Sequence, residues 1–238
     1  MNKPSETQRT ALITGCSRGI GRALTEHLLK QGFWVAGCSR GDTDLSDESF
    51  VHYQLDVTDA AAVKSMIQGI RQSASRLDVL INNAGIAAMS PFVLQPSETA
   101  RNIFNVNVLS VADITREAVR LMRASKSPRI VNFSTVAVPY RLEGEAMYAA
   151  SKAAVEEWTR VLAHELGTLG ITVNAVGPTP IRTDLLRNVP DDKLKKLIDR
   201  QAIKRWGTVE DVLNVVDFFI RPESSFITGQ VVYLGGAG

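Results

Sequence analysis

One rhythm constrains this chain more than any other feature. Seven short apolar runs, TALIT (10–14), FWVAGCS (33–39), VHYQLDV (51–57), LDVLINNAG (77–85), RIVNFST (129–135), GITVNAVGP (170–178) and QVVYLGG (230–236), are separated by longer stretches. Several of those stretches carry apolar residues at helical spacing: 19–32, 59–74, about 97–124, and one bearing Tyr148 and Lys152 that ends near Gly167. Strands that recur after helices pair in parallel through right-handed crossovers. Strands that are nearly continuous in apolar character, rather than alternating, are covered on both faces. The pattern therefore predicts an α/β chain: a single-domain Rossmann-type doubly wound parallel sheet of about seven strands with helices on both faces. Ligands of such a sheet bind beyond the carboxyl ends of its strands.

The whole of 1–238 reads as one domain, with 1–8 a flexible polar tail. The stretch 179–206 breaks the rhythm with charge and proline, and it stands where a substrate lid would. A net charge of +2 offers no strong field for nucleic acid or an anionic membrane. No apolar run is long enough to span a bilayer. Cys16 and Cys38 form neither a disulfide framework nor a zinc pattern, so the expected setting is reduced and cytoplasmic.

Two motifs carry chemistry. TGCSRGIG, after the first strand, places Gly15, Gly19 and Gly21 where a tight turn opens a helix, whose free N–H groups suit a pyrophosphate. The same letters match G-x-S-x-G, the nucleophile elbow of serine hydrolases, with Ser17 as nucleophile. That reading needs a histidine on a late loop, whereas His164 falls inside a helix. AMYAASKAA sets Tyr148 and Lys152 one helical turn apart. An ammonium beside a phenol lowers its pKa and makes a usable proton donor, although the same spacing occurs on ordinary exposed helix faces. After the second strand, Ser39 and Arg40 stand where an acid would hold a ribose 2′-hydroxyl. Together with Arg18 they favour the 2′-phosphate of NADP(H) over NAD(H). Asp42 and Asp44, just beyond, would restore NAD binding in a shifted register.

With TGCSRGIG, NNAG (82–85), NVNV (105–108), YAASK and GITVNAVGP in order, the chain resembles the short-chain dehydrogenase/reductase family over nearly its whole length. SRGIGRA, GITVNAV and the ITGQ ending look like its 3-oxoacyl-[acyl-carrier-protein] reductase branch. The resemblance implies a cofactor site of Gly15, Ser17, Arg18, Gly19, Ile20, Gly21, Ser39, Arg40, Asp56, Val57, Asn83, Ala84, Gly85, Tyr148, Lys152, Pro178, Thr179, Ile181 and Thr183. Asp56 and Val57 would meet the adenine, and Asn83, Ala84 and Gly85 the adenosine ribose. Ile181 and Thr183 would hold the nicotinamide carboxamide. The catalytic set would be Asn107, Thr135, Tyr148 and Lys152, with Asn107 at a disturbance in the long helix, holding a water. No metal is implied, and the assembly would be a homodimer or homotetramer.

Two positions depart from the family pattern. Thr135 stands at the catalytic serine's position, with Ser134 expected on the opposite face, and Thr179 replaces the glycine after Pro178. They motivate a second reading, a NADP(H)-binding regulator or scaffold without turnover. The expected activity is hydride transfer between NADP(H) and a ketone or secondary alcohol, with a 3-oxoacyl thioester as one candidate. Arg123, Lys126 and Arg129 would greet an acidic carrier, but Leu169 stands where that branch has a basic residue. Residues 138–147 and the lid would select the substrate.

Overall fold

Seven strands form one sheet: β1 (Thr10–Thr14), β2 (Trp34–Ser39), β3 (Phe50–Gln54), β4 (Val79–Asn82), β5 (Arg129–Phe133), β6 (Thr172–Gly177) and β7 (Val231–Tyr233). The structure, a computed structural model, describes residues 3–183 and 189–237. The strand order is β3-β2-β1-β4-β5-β6-β7, and every pairing is parallel. The order reverses between β1 and β4, which places the ligand crevice above their carboxyl ends.

Side-chain alternation divides the core into two layers. Leu12, Trp34, Leu80, Ile130 and Val173 pack on one face with helices α2 (Ala60–Ser73), α4 (Ser110–Met122) and α6 (Ala146–Gly167). Ala11, Ile13, Val35, Val79, Ile81 and Val131 pack on the other, against α1 (Gly19–Lys30) and α8 (Val209–Ile220). Each such large side chain stabilises the fold by roughly 1.5–3 kcal/mol when fully buried. The strands β1, β2, β4, β5 and β6 are buried throughout, as their largely apolar sequences predict. The edge strands β3 and β7 are partly covered.

The predicted long helix over 97–124 is three pieces. α3 (Ser97–Phe104) passes through a π-helical segment, Asn105–Leu109, into α4. A short α5 (Ala137–Tyr140) follows β5, and α7 (Asp191–Arg200) lies within the expected lid, of which 184–188 falls outside the described residues. α8 had no counterpart in the strand-and-helix reading. Its signal is a capping box, in which Thr208 accepts from Asp211 N–H while the Asp211 side chain accepts from Thr208 N–H.

The expected carrier-binding patch fails on position. Arg123, Lys126 and Arg129 lie between α4 and the start of β5, at the sheet's amino end, away from the crevice. Arg129 is buried there, donating to the carbonyls of Pro128 and Pro222.

Candidate active site

The glycine turn closes onto the start of α1. Gly15 has φ +73°, and a Cβ added to it would stand 2.9 Å from Asn83 Nδ2. Gly21 sits so close over the turn that a Cβ would collide with the Gly15 carbonyl. α1 begins without a side-chain cap and without an acid in its first turn. A helix start of that kind leaves N–H groups and positive dipole for an anion. Ser17 and Ile20 are partly buried, while Arg18 and Gly19 are exposed. A Cβ on Gly19 would lie 3.7 Å from Thr183 Cγ2, so the segment after β6 faces the turn.

β4 and β1 are tied at their carboxyl ends. Thr14 Oγ1 accepts from the N–H groups of Asn83 (3.1 Å) and Ala84 (2.9 Å), and Asn83 Nδ2 donates to the Thr14 carbonyl at 2.9 Å. Thr14 was not singled out from sequence; a threonine ending a buried strand beside the turn is its signal. Gly85 leaves room for polar atoms: a Cβ there would stand 3.2 Å from Asn107 Oδ1 and 3.3 Å from Lys152 Nζ.

At the end of β2, Ser39 is buried, with its hydroxyl 2.7 Å from His52 Nε2 and donating to the Gly41 carbonyl at 2.8 Å. Arg40 is exposed. Asp44 is ion-paired with Arg22 of α1, and Asp42 lies 3.8 Å from His52 Nδ1. Asp56 is exposed, and Val57 beneath it joins the core. The Thr58 N–H and hydroxyl both donate to Asp56; with Arg40 nearby they hold its carboxyl below the usual range against partial burial.

Tyr148 and Lys152 do share a face of α6, and both are buried. Lys152 Nζ donates to the Phe133 carbonyl at 2.8 Å. The Tyr148 hydroxyl lies near that of Thr135. The expectation that the ammonium acidifies the phenol is reversed here. Burial pushes Tyr148 up to about 12, opposed by the nearby Thr135 hydroxyl and reinforced by the Glu145 charge. Burial also brings Lys152 down to about 8. Removing a phenolate from water outweighs the neighbouring charge, which is turned toward a carbonyl.

Asn107, wholly buried in the π-helical segment, accepts from Ile86 N–H and donates to the Ile86 carbonyl, both at 2.9 Å. Its Nδ2 also donates to Ser151 Oγ at 3.0 Å, which in turn donates to the Tyr148 carbonyl at 2.7 Å. Ser151 was missed from sequence because its partners come from distant elements. Ser134, expected on the opposite face, donates to Glu156, two turns beyond Tyr148 on the same helix.

Beyond β6, the Pro178 carbonyl accepts from Val136 N–H at 3.2 Å, and Ile181 is buried in a bridge to Gly207. Thr179 is buried with its methyl against Gly207, where a Cβ would stand 2.5 Å away; the absent side chain at 207 accommodates the threonine. Among the described residues, Thr179 Oγ1 has no hydrogen-bond partner.

The elbow reading has no partners to support it. His27 pairs with Asp217, His52 meets Ser39, and His164 is exposed about 24 Å along α6 from Tyr148. Among the described residues no group of histidine, cysteine and carboxylate side chains could hold a metal. No described helix is long and apolar enough to cross a membrane.

Known proteins match this arrangement along nearly the whole chain. The family described as Enoyl-(Acyl carrier protein) reductase matches residues 15–236. The 3-oxoacyl-[acyl-carrier-protein] reductase FabG of Salmonella typhimurium is 32% identical over 234 residues, covering 96% of each chain. That of Thermotoga maritima is 34% identical over 239 residues, also covering 96% of each. Among solved structures, the ligand-free aldohexose dehydrogenase of Thermoplasma acidophilum superposes with a TM-score of 0.87 at 30% identity, covering 97% of this chain and 93% of its own. A putative gluconate dehydrogenase from Agrobacterium tumefaciens gives 0.87 at 26% identity, covering 96% and 94%. Likeness of sequence and of fold over one and the same span leads to a single conclusion: the chain belongs to the short-chain dehydrogenase/reductase family of oxidoreductases.

Proposed function

We propose that the chain is an NADP(H)-dependent oxidoreductase that interconverts a ketone and a secondary alcohol. The observation that carries this reading is the meeting of Thr135, Tyr148 and Lys152 side chains at the carboxyl ends of the strands. The glycine turn, the uncapped start of α1 and the unpartnered Thr179 hydroxyl fit a dinucleotide laid across the crevice. Arg18 and Arg40, both exposed at that end, would hold a 2′-phosphate, while Asp44 is engaged by Arg22.

When bound, the nicotinamide supplies or accepts the hydride. Tyr148, neutral well above physiological pH, donates its proton to the carbonyl oxygen in the reducing direction. Thr135 stabilises the negative charge growing on that oxygen. Lys152 binds the cofactor ribose, and Asn107 orders the polar path behind it. Residues 138–147 and α7 line the substrate side: Arg200 Nη2 donates to the Tyr140 carbonyl at 2.9 Å, and the Tyr140 hydroxyl donates to the Arg200 carbonyl at 3.2 Å. The relatives' names suggest two substrate classes, 3-oxoacyl thioesters and sugars or their acids. The misplaced basic patch leaves no argument for a carrier protein at that end. Exposed Leu109 and Val161 are consistent with a homodimer or homotetramer through the surfaces of the π-helical segment and α6.

The test is NADPH oxidation, followed by absorbance, over β-ketoacyl thioesters, cyclic ketones, quinones and aldonic ketoacids. NADP⁺ reduction with aldoses gives the reverse direction. Turnover of one class supports the reading; cofactor binding without turnover across the panel favours the regulator.

A further inference from the structure

Behind Thr135 and Tyr148 lies a buried polar cluster that the chemistry above leaves without a role. Glu156 stands on α6 one turn beyond Lys152 and is 4% exposed. Its carboxylate accepts from Ser134 Oγ of the segment leaving β5, and the phenol of Tyr233 at the end of β7 lies near it. Arg160 Nη2 approaches it to 3.8 Å from a side chain that is 47% exposed. Tyr233 reaches the site because Gly177 has no side chain: a Cβ there would collide with the tyrosine ring and would lie 3.5 Å from the Thr135 carbonyl carbon. Three elements therefore meet on one carboxylate directly beneath the residues that face the crevice.

Burying a carboxylate costs several kcal/mol unless its partners compensate, and an apolar side chain would fill the same space without that cost. Ser134 is covalently next to Thr135, so whatever fixes Ser134 also fixes the hydroxyl that meets Tyr148. We propose that Glu156 is a positioning residue: by holding Ser134 and Tyr233 against α6, it sets the distance between the Thr135 and Tyr148 hydroxyls. This rests on the reading of Tyr148 as proton donor and Thr135 as its partner at the carbonyl.

The experiment compares Glu156→Ala and Glu156→Gln, with activity expressed per NADPH-binding site from a fluorescence titration. Glu156→Ala lowers kcat by roughly 10–100-fold, with KM and the NADPH Kd within about twofold of the parent, as a displacement of about 1 Å would produce. Glu156→Gln, which keeps an acceptor oxygen, recovers most of that loss. Crystal structures of the parent and of Glu156→Ala show the Thr135 and Tyr148 hydroxyls about 1 Å farther apart in the variant. An unchanged kcat per binding site, or an unchanged separation between those hydroxyls, overturns the proposal. The structural measurement decides it even if the parent turns over nothing on the substrate panel, a result that counts against the functional reading alone. Should Glu156→Ala not fold, Ser134→Ala removes the Ser134 bond and Tyr233→Phe the neighbouring hydroxyl, and both are judged by the same criteria.

Discussion

The two ends of the sheet treat buried charge in opposite ways. At the amino end, Asp78 is buried and its carboxylate accepts from Thr10 N (2.8 Å), Ser125 Oγ (2.5 Å) and Arg76 Nε (3.2 Å). At the carboxyl end, Lys152 is as deeply buried, yet its ammonium meets a backbone carbonyl and, among the described residues, no carboxylate. The first arrangement fastens β1, β4 and the turn before β5 together. The second leaves donor capacity directed at the crevice, and its depressed pKa records the stability forgone. On the proposed function, a site that binds an anionic ligand and moves a proton would keep such a cation, whereas a structural site satisfies its lone pairs.

Four measurements would sharpen or break that contrast. The largest effect is expected from Tyr148→Phe, which removes the proton donor and lowers turnover by roughly 10²–10⁴-fold while NADPH still binds. Normal turnover would remove Tyr148 from the mechanism. At the other end, Asp78→Ala strands the donors that converge on it and destabilises the fold by about 3–5 kcal/mol in denaturant melts. Turnover per folded molecule should not change; a matching loss of turnover would erase the difference between the two ends.

Arg40→Asp comes next, weakening NADPH by roughly 10–100-fold, the worth of a charge-assisted hydrogen bond, with little effect on NADH. Equal losses for both cofactors in a binding titration would remove the 2′-phosphate role. The smallest effect is a pH dependence. Between the folded pKa of about 8 and the ordinary value of 10.5, the unfolded chain holds a Lys152 proton that the native state has lost. Native stability attributable to Lys152 therefore rises with pH across that window and is lost as pH falls through 8. Relative to Lys152→Met, the parent should gain on the order of 1–3 kcal/mol from pH 7.5 to 10.5. Tyr148 acts in the opposite sense above pH 10, but equally in both proteins. A pH-independent difference would mean that the ammonium is not desolvated.

Much of this was legible in one dimension. TALIT and RIVNFST are short and rich in apolar and β-branched residues, and both became buried parallel strands. The turn at Gly15 and the shared face of Tyr148 and Lys152 were also legible, because each depends on a few neighbouring residues. α8 was passed over because it follows a charged, proline-rich stretch, although Thr208 and Asp211 marked its start. Arg129 looked like a surface cation because its burial beneath Pro222 joins residues 93 positions apart.

The sequence by itself determined the number and type of strands, the position of the glycine turn and the shared helix face of Tyr148 and Lys152. All of these follow from backbone sterics and periodicity over short spans. Only the tertiary structure decided that Tyr148 is held neutral, that Lys152 faces a carbonyl, that Gly207 makes room for Thr179, and that Glu156 lies under Thr135. Desolvation and hydrogen bonding depend on which distant segments exclude water from a group, and no local pattern of residues encodes that.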